Sequence, residues 1–141
     1  MAVRQMTRTE IAEACGILSY HPHSNVSGLC NGSARILYDG WTNSDRSRPG
    51  GTVYVHSLIP EPRFLTKGFL REMFRHAFDH VDWVVGVTPG FNTRALSFNE
   101  RLGFRIGPTL PSGYAQGIDI HYQFMHHLDC RYYRRPTETS L

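Results

Sequence analysis

Residues 52–89 limit the folds open to this chain more than any other stretch. They open on TVYVHSLI, residues 52–59, which is β-branched and aromatic. A strand there puts Val53, Val55 and Ser57 on one face and Tyr54, His56 and Leu58 on the other. PEPR then ends the strand, because proline has no N–H to give to a ladder. From Thr66 to about Asp79, the residues Phe69, Leu70, Met73, Phe74, Ala77 and Phe78 recur at helical spacing and form a wide apolar face. DWVVGVTP, residues 82–89, is almost wholly apolar, as strands buried on both faces are. Strand, helix and strand in immediate succession favour a parallel crossover, so the chain is expected to build a mixed α/β sheet.

The flanking segments fit that expectation. Residues 2–7 alternate well enough for a short strand, and Thr9 is placed to cap a helix running to about Leu18. Residues 19–33 are rich in Ser, Gly, Asn and His and read as a loop. Residues 34–42 read as a strand, 43–51 as a turn, and 34–59 together as an antiparallel hairpin. NTRALSFNERLGF, residues 92–104, reads as a helix stopped by Gly103. FRIGP is expected to be a short strand, and residues 117–126 the last one, with Ile118, Ile120, Tyr122 and Phe124 on one face. The predicted architecture is one domain over residues 1–141, a central mixed β-sheet with helices on both faces, and an extended tail over 129–141.

Composition excludes several classes. The 141 residues, 40% hydrophobic and 19% charged, suit a globular domain. No apolar run approaches the roughly 20 residues of a membrane span, and the N-terminus lacks a signal-peptide h-region. A cytoplasmic location without membrane partners is therefore expected. Cys15, Cys30 and Cys130 are scattered and odd in number, as idle reduced thiols are. The formal charge of +3 is mild, and CRYYRR at residues 130–135 reads as a solvated end, not a nucleic-acid patch. His21/His23 and His126/His127 lack further ligands at recognisable spacing, so no metal is expected.

Two motifs carry a resemblance. Asn92, Ala95, Gly103 and Phe104 match an Asn-x-x-Ala-(seven residues)-Gly-Phe pattern. RFLTKGF sits between strand and helix like a Gln/Arg-x-x-Gly-x-Gly/Ala loop, with Arg63 and Gly68 matching and Thr66 replacing the first glycine. In this order the motifs resemble the GCN5-related N-acetyltransferases (the GNAT family) over about residues 2–128. The C-terminal stretch is also similar to small GNAT-like proteins encoded by bacteriophages, which would place the protein in host cytoplasm or a virion.

The resemblance implies acetyl-CoA as co-substrate and an amine acceptor, either a small molecule or a protein N-terminus or lysine. It leaves room for a homodimer. Elementary physics supports a pyrophosphate seat at the loop. The loop comprises Arg63, Phe64, Leu65, Thr66, Lys67 and Gly68, and free backbone N–H groups around Leu65–Gly68 would meet a helix N-terminus worth about half a positive charge. Gly68 permits close approach, and Arg63 and Lys67 add charge. By resemblance, Asn92, Ala95, Leu96 and Phe98 flank the pantetheine arm, and a backbone N–H near Leu58 and Ile59 polarises the thioester carbonyl.

The tyrosine that protonates the leaving thiolate in many relatives is replaced here by Asn99, a poor proton donor. His56 is the leading candidate for general base, with a pKa expected near 6–7. Asp119, His121, Tyr38 and Asp39 are weaker candidates. Two functions are implied. One is an acetyl-CoA-dependent N-acetyltransferase acting by direct attack in a ternary complex. The alternative is a GNAT-shaped phage virion or host-interaction protein with weak or lost chemistry.

Overall fold

The computed structural model describes residues 3–18, 20–21, 26–42 and 50–135. The elements follow as β1 (Arg4–Gln5), α1 (Arg8–Ile17), β2 (Ser27–Asn31), β3 (Ala34–Asp39), β4 (Thr52–Leu58), α2 (Lys67–Phe78), β5 (Trp83–Pro89), α3 (Thr93–Leu102), β6 (Arg105–Ala115) and β7 (Ile118–His126). Short 3-10 turns occupy Pro62–Phe64 and His127–Asp129. One sheet runs in the order β1-β2-β3-β4-β5-β7-β6. Among the described residues only β4 and β5 pair in parallel, as the apolar helix between them requires.

Helices cover both faces. Ile36, Tyr38, Val53, Val84 and Met125 pack with Phe69, Phe74 and Phe78 of α2 and Leu102 of α3. On the other face, Cys30 and Leu37 pack with Ile11, Ala14 and Cys15 of α1. The α2 face holds the larger aromatic cluster, where truncating a buried Phe to Ala costs about 3–5 kcal/mol.

The sheet opens at one place. β4 and β5 pair from Thr52↔Trp83 to Val55↔Gly86 and no further, although β4 runs on to Leu58 and β5 to Pro89. β4 stays with β3 up to Arg35↔Leu58, and β5 stays with β7 up to Pro89↔Ile120. Each strand follows its antiparallel neighbour, so the C-terminal ends of the parallel pair part. Backbone groups on the facing edges beyond Val55 and Gly86 are left without ladder partners.

Several local expectations need correction. Helix α1 is capped by Thr7, not Thr9. The Thr7 hydroxyl accepts from the Glu10 N–H, and the Glu10 carboxylate accepts from the Thr7 N–H. That reciprocal box satisfies two orphan donors, which Thr9 could not. Part of the supposed loop 19–33 is strand β2, joined to β3 by a tight turn with Gly32 at φ +58°. Strand β6 is far longer than FRIGP. It is an edge strand whose register shifts between Ile106 and Thr109 and between Leu110 and Ala115, so it tolerates Pro108 and Pro111.

From residue 129, where an extended tail is expected, the segment as far as Arg135 packs against α2. Tyr132 stacks on Phe74 and Tyr133 lies against Phe78. The Arg135 guanidinium donates to the carbonyls of Phe78 and Val81 and to Asp82. Residues 136–141, like His23 and 43–49, lie outside the described residues. No helix among the described residues is long and apolar enough to cross a membrane.

Candidate active site

Two cavities meet at the gap between the parted strands. One, about 620 Å³, lies between the start of α2, helix α3 and the C-terminal segment. The other, about 400 Å³, lies on the far side, toward the end of α1 and the β6–β7 hairpin. Ser57 and Asn92 line both.

The larger cavity is cationic. Lys67, Arg94, Arg101 and Arg131 line it, and among the described residues no carboxylate does. None of these four forms an ion pair among the described residues. The start of α2 adds backbone donors. Thr66 caps the helix by accepting from the Phe69 N–H at 3.1 Å, which leaves the N–H groups of Lys67 and Gly68 without an intrahelical acceptor. A Cβ at Gly68 would meet only the Thr66 hydroxyl, at 3.8 Å, so packing does not demand glycine there.

The expected coenzyme residues divide. Ile59, Leu65, Lys67, Asn92, Ala95 and Phe98 all line the larger cavity. Asn92 caps α3 through Oδ1, which accepts from the Ala95 N–H at 3.2 Å, and its Nδ2 has no partner among the described residues. Leu58 packs toward α1, on the opposite face. Phe64 is a core anchor: its ring fills the space beside Gly32, and its carbonyl accepts from Asn31 at 2.8 Å. The Leu65 N–H is already spent on the Pro62 carbonyl. Arg63, 73% exposed in its side chain, pairs with Glu61 at 3.0 Å and does not line the cavity. Exposed pairs of this kind are weak and easily exchanged.

In the smaller cavity His56 is buried, with its ring against Tyr20 at a centroid distance of 3.9 Å. Burial pulls the His56 pKa down to about 4, with Asp39 opposing the shift. The histidine poised at 6–7 is therefore not found; His56 is a neutral imidazole at physiological pH. Tyr20 donates its phenol hydrogen to Asp39 Oδ2, while Asp39 Oδ1 accepts from the Gly40 N–H at 2.8 Å. Burial, with Asp39 next, raises the Tyr20 pKa well above its ordinary value.

The weaker candidates are otherwise employed. Tyr38 faces the other way and donates to the Met73 carbonyl at 2.7 Å. Asp119 accepts from the Ser112 N–H, and His121 meets Thr109 at 3.1 Å; neither lines the cavity. Asn99 is a structural tie, donating to Gln123, whose own amide donates to the Leu96 carbonyl. His126 and His127 find a third potential donor in Asp82, but the Arg135 guanidinium already sits on that carboxylate at 2.9 Å.

Sequence reasoning missed Ser57 at the junction, Arg131 and Tyr132 in the larger cavity, and Tyr20, Tyr54, Tyr114 and Tyr122 around the smaller one. The alternation of β4 already aimed Ser57 away from His56. Nothing local could have brought Arg131 to α3.

No protein-family model matches the sequence, and no curated protein is a significant match. Solved structures do match in fold. Arabidopsis thaliana NAA60 in complex with acetyl-CoA superposes with a TM-score of 0.62 at 13% identity, covering 89% of this chain and 97% of that one. An aminoglycoside N(6')acetyltransferase from Legionella pneumophila gives 0.60 at 13% identity, over 89% and 91%. A protein from Desulfovibrio desulfuricans assigned to the GNAT family of acetyltransferases gives 0.58 at 13% identity, over 89% and 98%. At this identity the comparison establishes the fold, which is that of the GNAT acetyltransferases.

Proposed function

We propose that the protein is an acetyl-CoA-dependent N-acetyltransferase in which a primary amine attacks the thioester directly in a ternary complex. The observation that carries this reading is the meeting of a cationic groove and a tyrosine-lined cavity at the parted ends of β4 and β5. A cofactor-bound fold neighbour, NAA60 in complex with acetyl-CoA, supports the choice of donor.

The groove fits a phosphorylated thioester. The free N–H groups of Lys67 and Gly68 and the open space at Gly68 suit a pyrophosphate. Lys67, Arg94, Arg101 and Arg131 offset its charge, and Arg63 can swing from Glu61 to join them. Ile59, Leu65, Ala95 and Phe98 offer an apolar wall to the pantetheine arm, and Asn92 Nδ2 a hydrogen bond. Bound acetyl-CoA supplies an activated acyl group; the protein has to position and polarise it.

The chain's own groups divide the remaining work. An unpaired N–H on the β4 edge, near Leu58, is the donor for charge developing on the carbonyl oxygen. Neutral His56 accepts a hydrogen bond from the incoming amine and orients it. With so low a pKa it is a weak base, so the amine proton passes to water. Ser57, whose hydroxyl has no partner among the described residues, is placed to donate to the departing sulfur where Asn99 cannot.

The test is release of coenzyme A thiol from acetyl-CoA in the presence of a mixture of primary amines. Amine-dependent release sustains the proposal. A second reading, a GNAT-shaped binding protein without turnover, is favoured by the Asn99–Gln123 tie and the low basicity of His56. Acetyl-CoA binding without any amine-dependent release would establish it.

A further inference from the structure

The smaller cavity has a distinctive wall. Four tyrosines line it, Tyr20, Tyr54, Tyr114 and Tyr122, together with apolar Val87 and Ile120. Among the described lining residues Asp39 is the only carboxylate; it is 2% exposed and is already engaged by the Tyr20 hydroxyl and the Gly40 N–H. At about 400 Å³ the cavity falls in the range of small-molecule sites.

The hairpin also closes one side. Tyr114 of β6 donates to the Leu18 carbonyl at the end of α1, at 3.0 Å, and the Phe91 ring meets Tyr114 edge-on at 5.5 Å. The first contact ties the hairpin to the end of α1 across the cavity, and the second ties it to the segment between β5 and α3. A polypeptide entering there would have to break them.

Such a wall selects by exclusion and by attraction. A second ammonium in the cavity would find no further carboxylate among the described lining residues, and an unpaired buried charge is strongly disfavoured. Aromatic walls favour flat apolar bodies, which pair with the rings in offset or edge-on geometry.

Resting on the acetyltransferase reading, we propose that the acceptor is a small monoamine with a flat apolar body, its ring held among Tyr54, Tyr114 and Tyr122 and its amine directed at the strand gap. Polyamines, aminoglycosides and polypeptide N-termini are excluded as preferred acceptors.

The experiment has two stages. Acetyl-CoA binding is first measured alone: its absence would remove the acetyltransferase reading and the acceptor role with it, whereas intact acetyl-CoA binding with failure at the cavity would overturn this inference alone. Binding of phenethylamine, spermidine, kanamycin and a hexapeptide is then followed by ligand-detected NMR, and kcat/KM by thiol release. Phenethylamine should bind through its ring protons and exceed each of the others at least tenfold in kcat/KM. Tyr122→Ala should weaken phenethylamine binding at least fivefold while Tyr122→Phe retains it, with acetyl-CoA affinity unchanged in both. If spermidine, kanamycin or the hexapeptide equals phenethylamine, or if Tyr122→Ala leaves its binding intact, the inference is overturned.

Discussion

The Tyr20 phenol ring lies against the His56 imidazole, their centroids 3.9 Å apart and their planes inclined by 33°. This contact, with the sheet beneath, dries the imidazole and holds its pKa at about 4. It has consequences for both stability and rate.

For stability, the sign follows from which state takes the proton. Above about pH 6.5 neither the folded nor the unfolded chain protonates this histidine. Between about 6.5 and 4 the unfolded chain does and the folded chain does not, so stability falls as pH falls. The full effect is about 3 kcal/mol, at 1.36 kcal/mol per pH unit. His56→Gln should therefore flatten the fall in denaturation midpoint between pH 6.5 and 4 relative to wild type. Parallel curves for the two proteins would mean the imidazole is hydrated.

For rate, kcat/KM should show no limb near pH 6–7. It should climb instead through the pKa of the acceptor amine, because only the neutral amine attacks. His56→Gln should keep that shape. Shifting the acceptor to an amine of lower pKa should move the limb with it; a limb fixed near 6.5 for every acceptor would restore His56 as a titrating base.

Gly68→Glu probes the phosphate seat. The open space beside Gly68 predicts a denaturation midpoint within a few degrees of wild type. The added carboxylate, facing Lys67 and the helix N–H groups, should abolish acetyl-CoA binding. Large destabilisation would mark a packing role that the geometry does not contain.

Arg131→Ala separates the packed C-terminal segment from the core. The loss of one charged hydrogen bond to phosphate should weaken acetyl-CoA by about 1–3 kcal/mol. Retained affinity in calorimetry would place the coenzyme elsewhere in the groove.

What the sequence disclosed and what it hid follow one physical divide. Strand β4, helix α2, strand β5 and helix α3 carry their own periodicity and caps, so the chain between Thr52 and Leu102 was legible. So was the aim of Ser57 and His56 to opposite faces, since alternation is a local property. Strand β2 was hidden because its Ser, Gly and Asn residues have poor strand propensity. It is a strand because β1 and β3 pair with it on both edges, and Gly28 suits the crowding there, where a Cβ would lie 3.1 Å from the Ile36 carbonyl oxygen and would press the Met6 side chain aside. The depressed His56 pKa and the arrival of Arg131 at α3 depend on contacts distant in sequence, Tyr20 with His56 and Arg131 with the Arg101 carbonyl. No local pattern encodes either.

The central claim is that the groove between α2 and α3 seats acetyl-CoA. Calorimetric titration of wild-type protein and Gly68→Glu with acetyl-CoA tests it most directly. The account predicts saturable one-to-one binding to wild type, weakening with added salt as phosphate contacts do, and none to the variant. Absence of binding to wild type at millimolar acetyl-CoA, or equal binding to both proteins, would contradict it.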